Sequence, residues 1–337
     1  MSFLIQQTLI YAVPLMIVAL AGVFAERSGI INLALEGIMI FGAFIGVLFV
    51  RQMQGVDTFI AAKAAGDWGT LQGLVLLAML MSAAMGALFS LLLSFASINL
   101  RADQTIGGTA LNLLAPALVL FFIRIIANQN TLNMASGDSA SWFMIKKSTL
   151  GIDKSADLGF FGETFVNKVY LATYVCILLF IILSILLYKT RFGLRLRACG
   201  ENPQAADSLG INVYKMRYAG TTISGALAGF GGGLFYLAGG GQYTLLQSIE
   251  GAGFDGISVA LLANCNPIGC IFSAIFLSYL RLGGNAMQSQ GYATEATDIV
   301  ISVIVYLAAF ALLLRMLLSG KLGKRRNKNG KKEAAAK

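Results

Sequence analysis

The chain has 337 residues, of which 57% are hydrophobic and only 12% are charged, and it carries a net charge of +9 with no histidine. A soluble domain has about 25% charged residues, so this composition indicates a protein that crosses a membrane several times. Because histidine is absent and the four cysteines form no closely spaced motif, the sequence excludes a disulfide framework and a Cys/His metal site, and we expect no cofactor and no metal. A pore, a transporter or a membrane enzyme that works without histidine remains.

Seven runs of mostly apolar residues are long enough to cross the hydrocarbon layer, which takes roughly 20 residues per helix. Pro267 interrupts a further apolar region, where we expect a short broken helical hairpin within 256–280. The predicted fold is therefore all-α and polytopic, with about nine to ten transmembrane segments. The seven long runs are 6–24, 32–50, 71–97, 106–126, 169–188, 217–239 and 297–318.

The basic residues indicate the orientation, because Lys and Arg collect in cytoplasmic loops. Six lie in segment 189–217 and nine lie from Arg315 onwards, whereas loop 127–168 has four basic and four acidic residues. We therefore expect a transmembrane domain of residues 1–319 in the cell inner membrane, with 189–217 and the basic tail 320–337 in the cytoplasm. Loop 127–168 and the N-terminus would then lie outside. Because the basic residues collect beside apolar spans, they favour membrane insertion over nucleic-acid binding.

Polar side chains in or beside the spans are candidates for a translocation path, since such residues are costly in lipid and usually face the bundle interior. Asn32 and Glu36 are four residues apart and share one helix face, and Glu36 is the one carboxylate set well inside an apolar stretch. This shortage of buried charge favours a neutral polar solute. Hydrogen bonding between helices is the alternative role for each residue. The candidates are Asn32, Glu36, Asn112, Asn264, Asn266, Asn285 and Gln288.

Gly225, Gly229 and Gly233, which we call the glycine row, recur at a spacing of four in the sixth span. In lipid this spacing lets two helices approach backbone to backbone. The glycine row therefore predicts a helix–helix seam, and a hinge is the alternative. Before the third span, residues 51–70 form an unusual polar insertion.

The basic loop 189–217 contains the start and stop signals of a short helix. Asn202 is a favoured N-cap, Pro203 suits the first helical position, and Gly210 can take the left-handed conformation that ends a helix. These signals predict a small rigid element at the cytoplasmic face. A simple cytoplasmic turn is the alternative interpretation.

The stretch from Gly200 to Val213 resembles the cytoplasmic loop of permease subunits of ATP-binding-cassette (ABC) importers, in the family that handles ribose, branched-chain amino acids and nucleosides. Segments 26–37, 253–257 and 266–269 also resemble this family, and the mixture is most similar to nucleoside permeases linked to basic membrane lipoproteins. The long outer loop and the insertion 51–70 depart from its plainest members.

The resemblance implies about ten helices, two cytoplasmic ATPase subunits, a second permease subunit that is a copy or a homologue, and an outer substrate-binding lipoprotein. The capped helix would be the coupling helix that docks in a groove of an ATPase. The implied coupling residues are Gly200, Glu201, Asn202, Pro203, Ala205, Ala206 and Gly210.

No segment of the chain has the G-x-x-x-x-G-K-[ST] pattern of a phosphate-binding loop, so this subunit cannot hydrolyse ATP by that means. We therefore expect a permease and not an enzyme, with a nucleoside or a simple sugar as the solute. The alternatives are a secondary transporter driven by an ion gradient, and the same ABC role with branched-chain amino acids or a vitamin as cargo. A membrane enzyme would need catalytic groups from scattered Asp, Glu, Ser or Tyr residues.

Overall fold

The computed structural model of the chain describes residues 2–128, 131–133, 171–238, 242–244 and 251–288, with isolated helical residues at 159 and 162 and between 299 and 310. Nearly all of this described backbone is helical, which confirms the predicted all-α membrane fold. The described residues also include turns between the helices and a pair of three-residue antiparallel strands, in which Leu132 lies opposite Tyr243.

The elements follow one another with short connections through most of the described chain. A π-helical turn, Phe95–Asn99, extends the fourth helix. In chain order the elements are α1 (Ser2–Arg27), α2 (Leu35–Met53), α3 (Asp57–Ala65), α4 (Trp68–Ser94), α5 (Gln104–Ala127), β1 (Thr131–Asn133), α6 (Leu171–Lys189), α7 (Arg191–Glu201), α8 (Pro203–Ser208), α9 (Val213–Ala238), β2 (Gln242–Thr244), α10 (Ala252–Leu262) and α11 (Pro267–Gln288).

Six of the described helices are long and apolar enough to cross a membrane, namely α1, α2, α4, α5, α6 and α11. The first five of these coincide with the first five predicted spans. The sixth predicted span, 217–239, corresponds to α9, whose 26 residues give a length of about 39 Å at roughly 1.5 Å per residue. The seventh, 297–318, lies mostly outside the described residues.

The predicted hairpin within 256–280 is correct in its break and wrong in its second half. Pro267 begins α11, at a position where its missing N–H costs nothing. α10 is short, with 11 residues, but α11 has 22 residues and reaches Gln288. The prediction ended the second helix before Arg281 because the sequence becomes polar there, and the helix continues through those residues.

The chain forms two compact units, Met1–Tyr279 and Leu280–Lys337. In the first unit α1 and α2 are central, since 78% and 72% of their most apolar stretches are buried, compared with 22% for α5 and for α6. The outward side chains of α5 and α6 are large and apolar; Leu113 is 78% exposed and Ile182 is 53% exposed. Such surfaces suit contact with lipid.

The glycine row of α9 packs against α4, which confirms the predicted seam. A Cβ atom placed on Gly86 of α4 would lie 2.8 Å from the Cα atom of Gly229, so the two backbones touch. The hydroxyls of Ser94 and Thr221, 2.5 Å apart, form a hydrogen bond at one end of this seam. On α4 the seam residues have the same spacing of four, in the order Ser82, Gly86, Ser90 and Ser94.

The polar insertion 51–70 contains α3, a helix of nine residues. Phe59 and Ala62 of α3 are buried against Leu71 of α4. The insertion is therefore packed onto the bundle through a small apolar cluster.

Candidate functional site

The predicted short capped helix is present as α8, and α7 precedes it directly. The Asn202 side-chain oxygen accepts a hydrogen bond from the backbone N–H of Ala205 at 3.1 Å, and Pro203 is the first residue of the helix. Gly210 has φ +79°, in the left-handed region that favours glycine. The capping signals therefore act as predicted. Ala205 is exposed, whereas Ala206 is only 2% exposed and belongs to the buried face of α8.

Gly200, near the end of α7, lies directly against the end of α1. A Cβ atom on Gly200 would collide with the backbone oxygen of Arg27 and would lie 3.1 Å from the backbone nitrogen of Gly29. Gly29 has φ +84°, so both glycines are needed for this close approach. We call this end of the bundle, where α7 and α8 meet the end of α1, the coupling end.

α7 is fixed to the bundle by its buried face. Leu196 and Cys199 are fully buried, whereas Arg191 and Arg195 are exposed. Burial raises the pKa of the Cys199 thiol, and the charge of nearby Arg217 opposes that shift. The thiol therefore remains protonated near neutral pH.

Two of the predicted path residues, Asn32 and Asn112, hold the break between α1 and α2. The side-chain amide of Asn112 donates to the backbone oxygen of Leu33 at 2.7 Å and accepts from the N–H of Gly37 at 2.8 Å. The Asn32 amide donates to the hydroxyl of Ser224 on α9 at 3.0 Å. The two Asn112 bonds give partners to backbone groups beside the non-helical segment between α1 and α2, and the Asn32 bond attaches this segment to α9.

Glu36, in the first turn of α2, is only 9% exposed. Its carboxylate accepts a hydrogen bond from the backbone N–H of Gly253 at 2.6 Å. Gly253 lies in the first turn of α10, so the negative charge faces the positive end of that helix dipole. Gly253 is also needed for contact, because a Cβ atom there would lie 2.5 Å from the Cα atom of Glu36.

Asn264 and Asn266 lie in the turn between α10 and α11, at the opposite end of α10 from Glu36. The Asn266 side chain accepts from the N–H of Ile268 at 3.0 Å and so caps α11. The structure therefore brings Asn32, Glu36 and Asn112 together around the start of α2 and places these two asparagines at the coupling end. Asn285 and Gln288 belong to the last turns of α11, and their side chains are outside the described residues.

Three residues that the sequence did not single out connect these parts. Arg27 donates from Nη2 to the backbone oxygen of Cys265 at 3.4 Å, and the Tyr188 hydroxyl donates to the same oxygen at 2.8 Å. The guanidinium carbon of Arg197 on α7 lies 4.8 Å from the centre of the Tyr188 ring. Arg27 lies in segment 26–37, which resembles the permease family, and Arg197 is one of the six basic residues of segment 189–217; no sequence signal pointed to Tyr188.

These residues have structural roles: they fix the positions of helices. Among the residues that the structure describes, no group of three His, Cys, Asp or Glu side chains could hold a metal ion. The hydrogen bonds of Asn32, Glu36 and Asn112 fix helix ends and the non-helical segment between α1 and α2. The arrangement is that of a helical membrane bundle with a rigid external element attached at one end.

Comparison with known proteins places this bundle among transporters. The family model described as "Branched-chain amino acid transport system / permease component" matches residues 4–309. The chain is 39% identical over 283 residues to the guanosine ABC transporter permease protein NupQ of Bacillus subtilis, which covers 83% of this chain and 81% of that protein. It is 38% identical to the nucleoside ABC transporter permease protein NupC of Lactococcus lactis, over 84% of each chain.

A second Bacillus subtilis protein, the guanosine ABC transporter permease protein NupP, is 26% identical over 96% of this chain and 85% of its own length. No solved structure matches the chain significantly.

Proposed function

The chain belongs to the branched-chain amino acid transport system / permease component family, and we propose that it is the membrane permease subunit of an ABC importer that carries nucleosides. The observation that carries the proposal is the identity of 38–39% with permeases named for guanosine and nucleoside transport, over most of the chain. The capped element α7–α8 supplies a surface where an ATPase would dock. As a permease component, the chain belongs to a transporter family and not to an enzyme family.

A neutral polar cargo agrees with the charge inside the bundle. Of the buried polar and charged residues in the described chain, Glu36 is the one carboxylate, and a helix N-terminus already binds it. A route for ions usually carries paired charges at mid-membrane. A nucleoside fits this interior better than an ion does, and a simple sugar is the second candidate.

The proposed assembly has this permease, a second permease, two cytoplasmic ATPases and an outer substrate-binding lipoprotein. Bacillus subtilis has two different guanosine ABC transporter permease proteins that resemble this chain, NupQ and NupP. The presence of two such proteins in one organism supports a homologous second permease over a second copy of this chain.

The proposed orientation puts the coupling end and the basic tail 320–337 in the cytoplasm and the N-terminus outside. Four exposed basic side chains at the coupling end support its cytoplasmic position, because Lys and Arg collect on that side of a membrane; they are Lys189, Arg191, Arg195 and Lys215. α1 ends at this same end of the bundle, which puts its start at the other.

The orientation can be tested with one cysteine. All four native cysteines are buried, so a Ser2→Cys variant should be the main target of an impermeant maleimide. We expect labelling in intact cells. Labelling that requires permeabilised cells would reverse the orientation.

The function is tested by reconstituting the complex in vesicles with its ATPase and second permease and measuring uptake of radiolabelled guanosine delivered by its binding protein. We expect uptake that requires ATP. Ion-gradient-driven uptake by this chain alone would favour a secondary transporter instead. An Asn202→Ala variant, which loses the cap of α8, should reduce ATPase docking, while Asn202→Ser retains a capping oxygen and serves as the control.

A further inference from the structure

We propose that α10 is a rod that carries motion from α7 and α8 to the buried residues around Glu36, and that Arg27 and Tyr188 are the positioning residues at its driven end. The inference rests on the proposed function, since it concerns how an ABC permease couples ATP hydrolysis to transport. It assigns a role to a short helix and to two side chains outside the coupling element itself.

The driven end of α10 is the turn at Asn264 and Cys265. This turn is strained, and side chains from other helices fix it. Asn264 and Cys265 have φ values of +52° and +53°, a conformation that residues other than glycine rarely adopt. Strain of this kind persists where the surroundings fix the backbone. Here Tyr188 binds the Cys265 oxygen at 2.8 Å, and Arg27 binds the oxygens of Cys265 and Asn264 at 3.4 and 3.5 Å.

Both positioning residues are attached to α7. The backbone of Gly200 packs on the backbone oxygen of Arg27 so closely that no Cβ atom would fit between them. Arg197, one turn earlier in α7, lies over the ring of Tyr188 at 4.8 Å. A displacement of α7 therefore acts on the turn through two independent side chains.

The other end of α10 is attached to α2 by the hydrogen bond from Gly253 to Glu36. Between its ends, α10 follows α1 through small residues. A Cβ atom on Gly22 would lie at an ordinary contact distance, 3.4 Å, from Ala260, and Gly256 packs on Val18. With 11 residues and no proline within it, α10 is a rigid helix of about 16 Å.

These contacts form one continuous physical connection, from α7 through the turn and along α10 to Glu36. Coupling through such a connection requires an element with two discrete arrangements. The left-handed turn at Asn264 and Cys265 is suited to this role, because its backbone can relax when Arg27 and Tyr188 release it. The inference therefore predicts that weakening the three hydrogen bonds from Arg27 and Tyr188 separates ATP hydrolysis from transport.

The first test measures guanosine transported per ATP hydrolysed in the reconstituted complex. Tyr188→Phe removes one hydroxyl, and Arg27→Gln removes the guanidinium. For each we expect ATP hydrolysis close to that of the unmodified complex and transport per ATP reduced about 5-fold or more, the range of allosteric coupling. Arg27→Lys, which keeps a charged donor, should restore part of the ratio.

The matched controls lie away from the turn. Tyr279→Phe makes the same chemical change on an exposed residue of α11, and Arg51→Gln removes a charge from the far end of α2. Both should keep the original ratio of transport to hydrolysis. A role of Tyr188 in folding alone would lower transport and hydrolysis together and would overturn the inference.

The second test uses the permease chain alone. Cys265 is 5% exposed in the turn, so in a variant that keeps it as the sole cysteine it should react slowly with maleimide. Adding Tyr188→Phe should make this reaction several-fold faster, because the turn loses its shortest external bond. An unchanged rate would show that Tyr188 does not hold the turn, and the inference would fail.

The two levels of the proposal fail in different ways. If the unmodified complex shows no ATP-dependent guanosine uptake, the proposed function is wrong. If that complex transports guanosine but Tyr188→Phe keeps the normal ratio of transport to hydrolysis, the function stands and only the role of α10 is wrong.

Discussion

The Glu36 carboxylate and the backbone N–H of Gly253 form a hydrogen bond of 2.6 Å between residues that are 217 positions apart in the chain. This bond joins the first turns of α2 and α10. A buried carboxylate is normally costly in a membrane, and here the cost is reduced because a helix N-terminus solvates the charge.

Replacing Glu36 tests how much this bond contributes to stability. Glu36→Ala should lower the free energy of unfolding by about 1–3 kcal/mol, because it removes the acceptor of the buried backbone N–H of Gly253. Glu36→Gln keeps an acceptor oxygen and should cost less. Thermal unfolding in detergent, followed by circular dichroism, measures both. Equal losses for the two variants would indicate that the charge itself, and not the hydrogen bond, matters.

The seam between α4 and α9 predicts opposite effects for two glycines of one helix. Gly86→Ala should destabilise the protein by about 1–3 kcal/mol, since the new Cβ atom would meet the backbones of Gly225 and Gly229. Gly73→Ala, where no atom lies within 4 Å, is the matched control and should be neutral or stabilising by up to about 1 kcal/mol. The thermal midpoints of the two variants should move apart. Similar shifts would contradict the tight seam.

Asn112 should be more important for stability than its place near the surface-facing side of α5 suggests. Asn112→Ala removes the hydrogen bonds to Leu33 and Gly37, at 2.7 and 2.8 Å. It should lower the free energy of unfolding by about 2 kcal/mol or more. Leu113→Ala is the control, since that side chain is 78% exposed. Asn112→Asp keeps the acceptor but loses the donor to Leu33, so its midpoint should lie between those of the alanine variant and the original. A loss for Leu113→Ala as large as that for Asn112→Ala would contradict this role.

Asp103 should give the stability a small dependence on pH at the start of α5. The backbone N–H of Thr105 donates to its carboxylate at 2.7 Å, and this bond lowers the pKa of Asp103 below its ordinary value of 3.8. Since the folded pKa is the lower one, the ionised side chain stabilises the fold above about pH 4, and this contribution is lost as the pH falls through the folded pKa.

The check on Asp103 compares it with Asp103→Asn, which keeps a capping oxygen but does not titrate. The difference in thermal midpoint between the two proteins should shrink on going from pH 7 to pH 3. A difference that stays constant with pH would show that ionisation of Asp103 does not contribute.

The local signals in the sequence were sufficient for the capped element and for most of the long helices. Asn202, Pro203 and Gly210 act through nearest neighbours, so their effect does not depend on the rest of the fold. Asn266 and Pro267 give the same signal and begin α11; the prediction placed the break between the two helices correctly but did not use these residues as a helix start. The pairing of the glycine row with α4 was also present in the sequence, as small residues at a matching spacing.

The positions of the polar residues could not be predicted, because they depend on contacts between distant parts of the chain. Asn264 was grouped with Glu36 by residue type, whereas the two lie at opposite ends of α10. Asn112 meets Gly37 across 75 residues, and Tyr188 meets Cys265 across 77. Residue type and spacing give no information on such pairs.

The central position of α9 has a consequence for biosynthesis. α9 packs between α1, α2 and α4, yet it is absent from the described helices that are apolar enough to span a membrane on that ground alone. A glycine-rich segment of this kind is weakly retained by lipid when it leaves the translocon. Stable insertion of α9 therefore depends on its packing against α1, α2 and α4, which are synthesised before it.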